Sequence, residues 1–204
     1  MADAFSRSYR LHFAYGVDMN PDQIRSCCSH PEVVAVACLK DYEVGFFGYS
    51  RTWDGGIESI VPALGHEVWG VVYRLNFADG ESLDKEQDVR IDGTGLYFHY
   101  PVSVMDLSGT CYDVLLYKKD EFGSPTLPSR EYLSRILDGA AVRGLPDRYI
   151  EHLWNSKARL ASYLVPRGLG FKSELLRNMA CTGCGDLRES KGGPGFKIPG
   201  TLEY

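Results

Sequence analysis

The sequence predicts an α+β protein built on a small mixed β-barrel or curved sheet, with inserted and C-terminal helices. Short runs of alternating or β-branched apolar residues dominate the chain up to about residue 118, as is typical of strands. From Pro128 onward, apolar residues recur at the spacing of amphipathic helices. The 204 residues are enough for one full-sized core and leave room for only a small second domain.

Six or seven strands are predicted. Apolar residues alternate with polar ones over 9–15, which indicates a half-buried strand that ends at Gly16. Gly55-Gly56 and Ser108-Gly109 are predicted to form turns between later strands. The remaining strands are predicted over 33–39, 42–49, 57–61, 67–75, 96–106 and 111–118.

Helices are predicted where capping residues precede helical patterns. Asn20-Pro21 begins a short helix over 21–28, because Asn caps well and Pro suits the first turn. A second short helix is expected over 80–89, with Ser82 as its cap. After Pro128 we expect one helix ending near Gly144, another from Pro146 toward Leu164, and a short one over 172–180.

The chain divides into an extension over 1–8, a main domain over 9–165, and a helix with a Gly- and Cys-containing tail over 166–204. In that tail, Cys181 and Cys184 have the C-x-x-C spacing of zinc or redox sites. A structural zinc needs four ligands, and the sequence offers no second pair nearby. We therefore expect a pair of exposed thiols here and no metal site.

Charge and hydropathy exclude several classes of protein. A net charge of -5 gives no electrostatic basis for binding nucleic acid or an anionic membrane. Residues 1–10 contain no apolar signal-peptide core, and no run of 18 apolar residues occurs in the sequence. These observations predict a cytoplasmic protein with reduced cysteines.

Several blocks, in order, resemble the γ-glutamylcyclotransferase family across roughly residues 9–155. Tyr15-Gly16 matches the start of the family's Tyr-Gly-Ser-Asn loop, and Trp53 to Ile57 resembles its Trp-x-Gly-Gly segment. The strand EVWGVVY and the segment LDKEQDV match a central strand and the family's Leu-Asp-x-x-Glu-Gly-Val segment. The later blocks are Pro128 to Tyr132, Gly139-Ala140 and Gly144 to Tyr149.

The resemblance implies a barrel-like sheet with a cavity at one end and an enzyme without a cofactor. Such enzymes let the α-amine of a γ-glutamyl compound attack its own γ-carbonyl, which releases 5-oxoproline and an amine or amino acid. A cavity Glu moves the proton. The loop formed by Tyr15, Gly16, Val17, Asp18 and Met19 would bind the substrate through its backbone N–H groups. Tyr97 would line the cavity, and a homodimer is left open.

Two segments depart from the family pattern. The family Glu corresponds here to Gln87, which has no proton to exchange near neutral pH. The alternatives are a Glu→Gln form of an active enzyme, a shifted role for the neighbouring Glu86, and a relative that lost proton transfer but kept a binding pocket. Adjacent helical residues point about 100° apart, so Glu86 needs a local change of register.

The loop is the second departure. Val17 and Asp18 stand where the family has Ser and Asn. A carboxylate here would repel a substrate carboxylate by about 4 kcal/mol at 4 Å and an effective dielectric near 20. Asp18 could instead bind an ammonium group, act as the missing base, or serve as an ordinary turn residue. The sequence therefore favours changed specificity or chemistry over a simple γ-glutamyl amino acid substrate.

Overall fold

Strand pairing closes the sheet into a barrel in the computed structural model, which describes residues 9–90, 92, 94–120 and 122–166. Among these residues the strands are β1 (Tyr9–Ala14), β2 (Glu32–Ser50), β3 (Gly55–Asn76), β4 (Phe98–Asp106) and β5 (Cys111–Lys118). Their order around the barrel is β1-β3-β2-β4-β5. A parallel pairing of His12 with Leu115 joins β1 to β5, and the other neighbours are antiparallel. The predicted mixed β-barrel is confirmed.

The prediction of six or seven strands is wrong within the described residues, because β2 and β3 each join two predicted strands. Asp41 has a φ of +63°, and the pairing register shifts between Lys40 and Tyr42. A bulge of this kind bends a strand without ending its ladder of hydrogen bonds. Gly55-Gly56, predicted as a turn, instead begins β3. The absence of side chains there lets residues 126–129 lie against the strand.

The helices are α1 (Pro21–Cys27), α2 (Phe77–Glu86), α3 (Arg130–Val142) and α4 (Asp147–Trp154). Asn20 and Ser129 cap α1 and α3 as their side chains accept backbone N–H bonds. Asn76, and not Ser82, caps α2, so this helix begins three residues earlier than predicted. None of the helices in the described part of the chain is long and apolar enough to cross a bilayer.

Helix α4 ends well before the predicted Leu164, because the following residues bind elsewhere. Arg159 donates hydrogen bonds to the Asp54 carboxylate at 2.8 and 3.2 Å, and Ser162 donates to it from both its backbone nitrogen and its hydroxyl group. Asp54 is only 2% exposed and lies just before β3. These bonds hold the segment after α4 against the turn between β2 and β3.

Two apolar clusters form the core. One fills the barrel and includes Phe13, Leu39, Val72 and Leu116. The other lies between the barrel wall and the helices and includes Tyr73, Leu83, Ile136 and Tyr149. Neighbouring residues of β3 therefore pack into different clusters, as the alternation of side chains along a strand requires.

The helix predicted over 172–180, the Cys181/Cys184 pair and the extension over 1–8 lie outside the described residues.

Candidate active site

A tight turn after β1 carries the predicted substrate loop. Residues Val17–Met19 form a single 3-10 turn, in which Met19 N donates to the Gly16 carbonyl at 3.1 Å and Asn20 N donates to the Val17 carbonyl at 3.0 Å. Helix α3 lies directly against this turn, since a methyl group added to Gly139 would come within 2.6 Å of Asn20 N. Backbone hydrogen bonds and helix packing thus fix the loop from two sides.

Asp18 projects from this turn and meets Gln87, which ends α2. The Gln87 amide nitrogen Nε2 donates to Asp18 Oδ2 at 2.6 Å. Gln87 is held by its backbone N–H, which donates to the Leu83 carbonyl at 3.0 Å. The loop and the helix end, which are 69 residues apart in sequence, therefore meet through these two side chains.

The environment of Asp18 disfavours its charged form. The side chain is 6% exposed, and its second oxygen, Oδ1, has no hydrogen-bond partner among the described residues. Burial raises the pKa of Asp18 to about 7, with a further contribution from nearby Glu58, while the Gln87 hydrogen bond opposes the shift. A carboxylate with such a pKa can take up a proton and release it near neutral pH.

Glu58 of β3 brings a second carboxylate to the same place. Its Oε1 accepts a hydrogen bond from Val17 N at 3.2 Å, and its Oε2 accepts one from the Tyr132 hydroxyl of α3. The Tyr97 hydroxyl donates to the Glu58 backbone carbonyl at 2.7 Å. Burial raises the pKa of Glu58, although the Tyr132 and Val17 hydrogen bonds oppose this.

The Glu58 carboxylate lies over Gly16. A Cβ atom added to Gly16 would lie 1.7 Å from Glu58 Oε1 and 2.3 Å from its carboxyl carbon. Gly16 has φ of -121° and ψ of -141°, so its backbone does not lie in the left-handed region. Glycine is required here for space, because the carboxylate occupies the volume of a side chain.

These groups surround a cavity of about 20 Å³. Such a volume holds a group the size of a water molecule or an ammonium ion. The lining consists of aromatic or small residues, one imidazole, one amide and two carboxylates: His12, Phe13, Ala14, Tyr15, Gly16, Asp18, Glu58, Gln87, Tyr97 and Tyr117.

A polar network supports the cavity from the α2 side. Arg10 of β1 binds both oxygens of Asp84 on α2, at 2.7 and 2.8 Å. The Tyr117 hydroxyl donates to Asp84 Oδ1 at 2.6 Å and accepts from Arg10 at 2.8 Å. Because Asp84 lies one helical turn before Gln87, this network fixes the end of α2 against the barrel.

His12 faces the cavity as a neutral ring. It is 2% exposed, and burial, followed by the charge of Arg10, lowers the pKa of its imidazole to about 3. Its ring lies 4.6 Å from that of Tyr117. His12 therefore adds no positive charge to the cavity at neutral pH.

Comparison with known proteins identifies the family. The chain is 34% identical to the human γ-glutamylcyclotransferase over 150 residues, which cover 70% of this chain and 76% of that protein. It is 33% identical to the mouse γ-glutamylcyclotransferase over 150 residues, with the same coverage. This chain belongs to the γ-glutamylcyclotransferase family.

Two other comparisons agree with this assignment. A solved structure described as γ-glutamyl cyclotransferase has a TM-score of 0.73 at 28% identity, over 83% of this chain and 99% of that one. The model of the AIG2-like family matches residues 67–153. That range contains Gln87 and Tyr97, but it begins after the loop and after Glu58.

The γ-glutamylcyclotransferase fold brings most of the predicted site residues together. Tyr15, Gly16, Asp18, Gln87 and Tyr97 all line the cavity. Their roles in binding or catalysis stay predictions.

Three other predicted residues are placed differently. Val17 contributes its backbone N–H, and Met19 is fully buried with its carbonyl accepting from Tyr73 and Arg143. Glu86 is exposed and does not line the cavity. The local change of register that a role for Glu86 needs is absent from the described helix end.

Glu58 is the cavity carboxylate that the sequence analysis missed. It lies within 57–61, which reads as an ordinary apolar strand. A charged residue at a strand position flanked by buried residues on both sides is unusual, and this signal could have identified it. Among the described residues, no cluster of three or more His, Cys, Asp or Glu side chains could hold a metal ion.

Proposed function

We propose that this protein is a cyclotransferase in which the proton-transferring carboxylate has moved from position 87 to Asp18. It closes the amino group of a γ-glutamyl-type amide onto the γ-carbonyl and releases a five-membered lactam, 5-oxoproline or a relative of it, together with an amine. Membership of the γ-glutamylcyclotransferase family supports the reaction type. The hydrogen bond between Asp18 and Gln87 supports the assignment of the base.

The two departures from the family pattern compensate for each other. The family places Asn in the loop and Glu at the helix end, whereas this chain has Asp18 and Gln87. The pair thus keeps one amide and one carboxylate in contact, with their positions exchanged. Simple loss of the catalytic Glu gives no reason for a carboxylate to appear as its direct partner.

Asp18 has the properties that the proton transfer needs. Oδ2 is held by Gln87, and Oδ1 is free to accept a proton from the substrate ammonium group. With a pKa of about 7, Asp18 is partly ionised at neutral pH and can return the proton later. A general base matched to the working pH contributes typically ~10²–10⁴-fold to the rate.

The reaction then needs no protein nucleophile. The substrate ammonium loses a proton to Asp18, and the free amine attacks the γ-carbonyl carbon. The bond from this carbon to the leaving nitrogen breaks, and that nitrogen takes the proton back from Asp18, while the attacking nitrogen gives up its second proton to water as it becomes the lactam N–H. Because attacking and leaving groups belong to one molecule, holding it curled supplies much of the rate enhancement.

Exchanging the two side chains tests the proposal. Asp18→Asn should reduce lactam formation by ~10²–10⁴-fold. The double variant Asp18→Asn/Gln87→Glu restores the family arrangement, and it should form lactam at least tenfold faster than Asp18→Asn alone. Lactam and amine are measured by mass spectrometry on a panel of γ-glutamyl amides, their α-carboxamide derivatives and 4-aminobutanoyl amides.

Asp138→Asn is the matched control, since Asp138 is exposed on α3 and outside the cavity. Activity that survives Asp18→Asn would contradict the assignment of the base. Activity that Glu86→Gln abolishes would favour the exposed neighbour instead.

The presence of Gln87 at the family's Glu position favours one competing function, a non-catalytic binding module whose cavity takes up only one small group of its ligand. A volume of about 20 Å³ is far below the ~300–1,000 Å³ of typical small-molecule sites. Ligand-induced thermal stabilisation without lactam formation, in the wild type and in the Gln87→Glu variant, would support this alternative.

A further inference from the structure

The protein places its own carboxylate where a γ-glutamyl substrate would need its carboxylate bound. The loop was predicted to hold the substrate α-carboxylate through backbone N–H groups. Val17 N instead donates to Glu58 Oε1 at 3.2 Å. The N–H groups of Met19 and Asn20 are bonded to loop carbonyls.

Glu58 is built into this position. Its other oxygen accepts from the Tyr132 hydroxyl, its carboxylate covers Gly16, and the residue is 8% exposed. A substrate carboxylate could reach Val17 N only if Glu58 left two hydrogen bonds and a buried position. Buried hydrogen bonds to charged groups are costly to break.

The charges around the cavity also disfavour an anionic ligand. Two carboxylates, Asp18 and Glu58, line it, whereas the nearby cations Lys119 and Arg10 contact Tyr97 and Tyr117 and do not line it themselves. When Asp18 is ionised, its buried and unpartnered Oδ1 accepts hydrogen bonds only. A cation of small size, such as a primary ammonium group, complements this lining.

From this arrangement we propose that the substrate is a 4-aminoacyl amide in which the carbon that bears the amino group carries no ionised carboxylate. The carboxylate is either absent, as in a 4-aminobutanoyl amide, or neutralised, as in a γ-glutamyl compound with an α-carboxamide. Glu58 takes the place of the missing substrate carboxylate. This inference rests on the proposed cyclotransferase function.

The reaction on a 4-aminobutanoyl amide balances without a further reactant. Asp18 accepts a proton from the ammonium group, and the amine nitrogen forms a bond to the C1 carbonyl carbon. The C1–N bond to the leaving amine breaks and its nitrogen receives the proton from Asp18, while the attacking nitrogen gives up its second proton to water as it becomes the lactam N–H. The products are 2-pyrrolidinone and the free amine.

Three matched p-nitroanilides test the inference on the wild-type protein: γ-glutamyl, γ-glutamyl with an α-carboxamide, and 4-aminobutanoyl. Release of p-nitroaniline is followed by absorbance, lactams are identified by mass spectrometry, and buffer alone gives the spontaneous rate. We expect kcat/KM for at least one carboxylate-free compound to exceed that for the γ-glutamyl compound by at least about tenfold, or about 1.4 kcal/mol.

The outcomes separate the two proposals. Faster turnover of the γ-glutamyl compound, or equal rates, would overturn the inference on substrate class and leave the cyclotransferase function intact. Failure of all three compounds to form any lactam would overturn both. The two carboxylate-free compounds distinguish an absent carboxylate from a neutralised one.

Glu58→Ala provides the second measurement, because it frees Val17 N and removes the carboxyl group from the cavity lining. The kcat/KM ratio should then shift toward the γ-glutamyl compound by at least about tenfold. Glu151→Ala, an exposed position on α4, should leave the ratio unchanged. An unaltered ratio in a folded Glu58→Ala variant would contradict the role given to Glu58.

Discussion

Gln87 donates its side-chain amide to the Asp18 carboxylate across 2.6 Å, so two of the positions that depart from the family pattern are hydrogen-bonded to each other. Each change alone suggests a damaged site: one removes a base, and the other adds charge to a loop expected to bind an anion. Together they keep a carboxylate in the cavity beside an amide that orients it. On the proposed function, the site is rearranged rather than inactivated.

The rate of lactam formation should rise with pH around 7. Asp18 must be ionised to accept a proton, and its pKa is raised to about 7 by burial. A plot of log kcat/KM against pH should therefore show a rising limb bending near this value. In Asp18→Asn this bend should disappear. A bend near 4 in the wild type would indicate an ordinary exposed carboxylate instead.

Asp18→Asn should make the protein more stable at pH 8 but not at pH 4. A raised pKa means that the folded state holds a proton that the unfolded state loses, so wild-type stability falls as pH rises from about 4 to about 7. The neutral Asn side chain does not lose this stability, because it carries no group that must ionise in a buried position. The difference in the free energy of unfolding is of the order of 4 kcal/mol for a pKa shift from 3.8 to about 7. Urea unfolding at both pH values measures the difference.

The control for this stability measurement is Asp138→Asn, whose effect should be the same at both pH values. Equal stabilities of wild type and Asp18→Asn at pH 8 would show that Asp18 is accessible to water or paired in solution.

Gly16→Ala should destabilise the protein by about 1–3 kcal/mol, because the new methyl group overlaps the Glu58 carboxylate. In a Glu58→Ala background the same change should cost much less. A double-mutant cycle by thermal or urea unfolding measures this coupling. Gly109→Ala is a useful contrast, since Gly109 has a φ of +88° and open space around it. Its cost should not depend on Glu58.

Asp84→Asn should weaken both stability and activity by loosening the end of α2. Burial raises the pKa of Asp84, but its hydrogen bonds with His99, Arg10 and Tyr117 together outweigh this and hold the pKa well below its usual value. The stabilisation is therefore present above about pH 4 and is lost as the pH falls further. We expect a loss of about 1–2 kcal/mol at pH 7, because the ion pair retains contact with solvent.

Comparing unfolding free energies at pH 7 and pH 3 tests this prediction, since the cost of Asp84→Asn should shrink at the lower pH. A cost that is independent of pH would point to packing rather than charge.

The fold was largely predictable because local signals agreed with the tertiary structure. The caps Asn20 and Ser129 mark real helix starts, and alternation over 9–15 marks β1. The bulge at Asp41 was not predictable, since a polar residue between two apolar runs signals a strand end as readily as a bend. The early end of α4 depends on Arg159 binding Asp54, a contact 105 residues away in sequence.

The site residues that lie within the family motifs were predictable from the sequence, and the site residue outside them, Glu58, was not. Gln87 and Asp18 could be recognised as departures, but their contact joins a loop to a helix end and is visible only in three dimensions. Glu58 lies outside the motifs, within a strand whose other residues are apolar or small. Its importance arises from Tyr132 and Val17, which approach it from separate elements.

The contact between Asp54 and the segment after α4 bears on how far the chain can be shortened. A truncated protein that stops before Arg159 would keep an anion that is 2% exposed but lose its cation and both Ser162 donors. That anion lies at the start of the strand that carries Glu58. Any minimal active fragment must therefore extend at least through Ser162, even though the barrel itself is complete at Lys118.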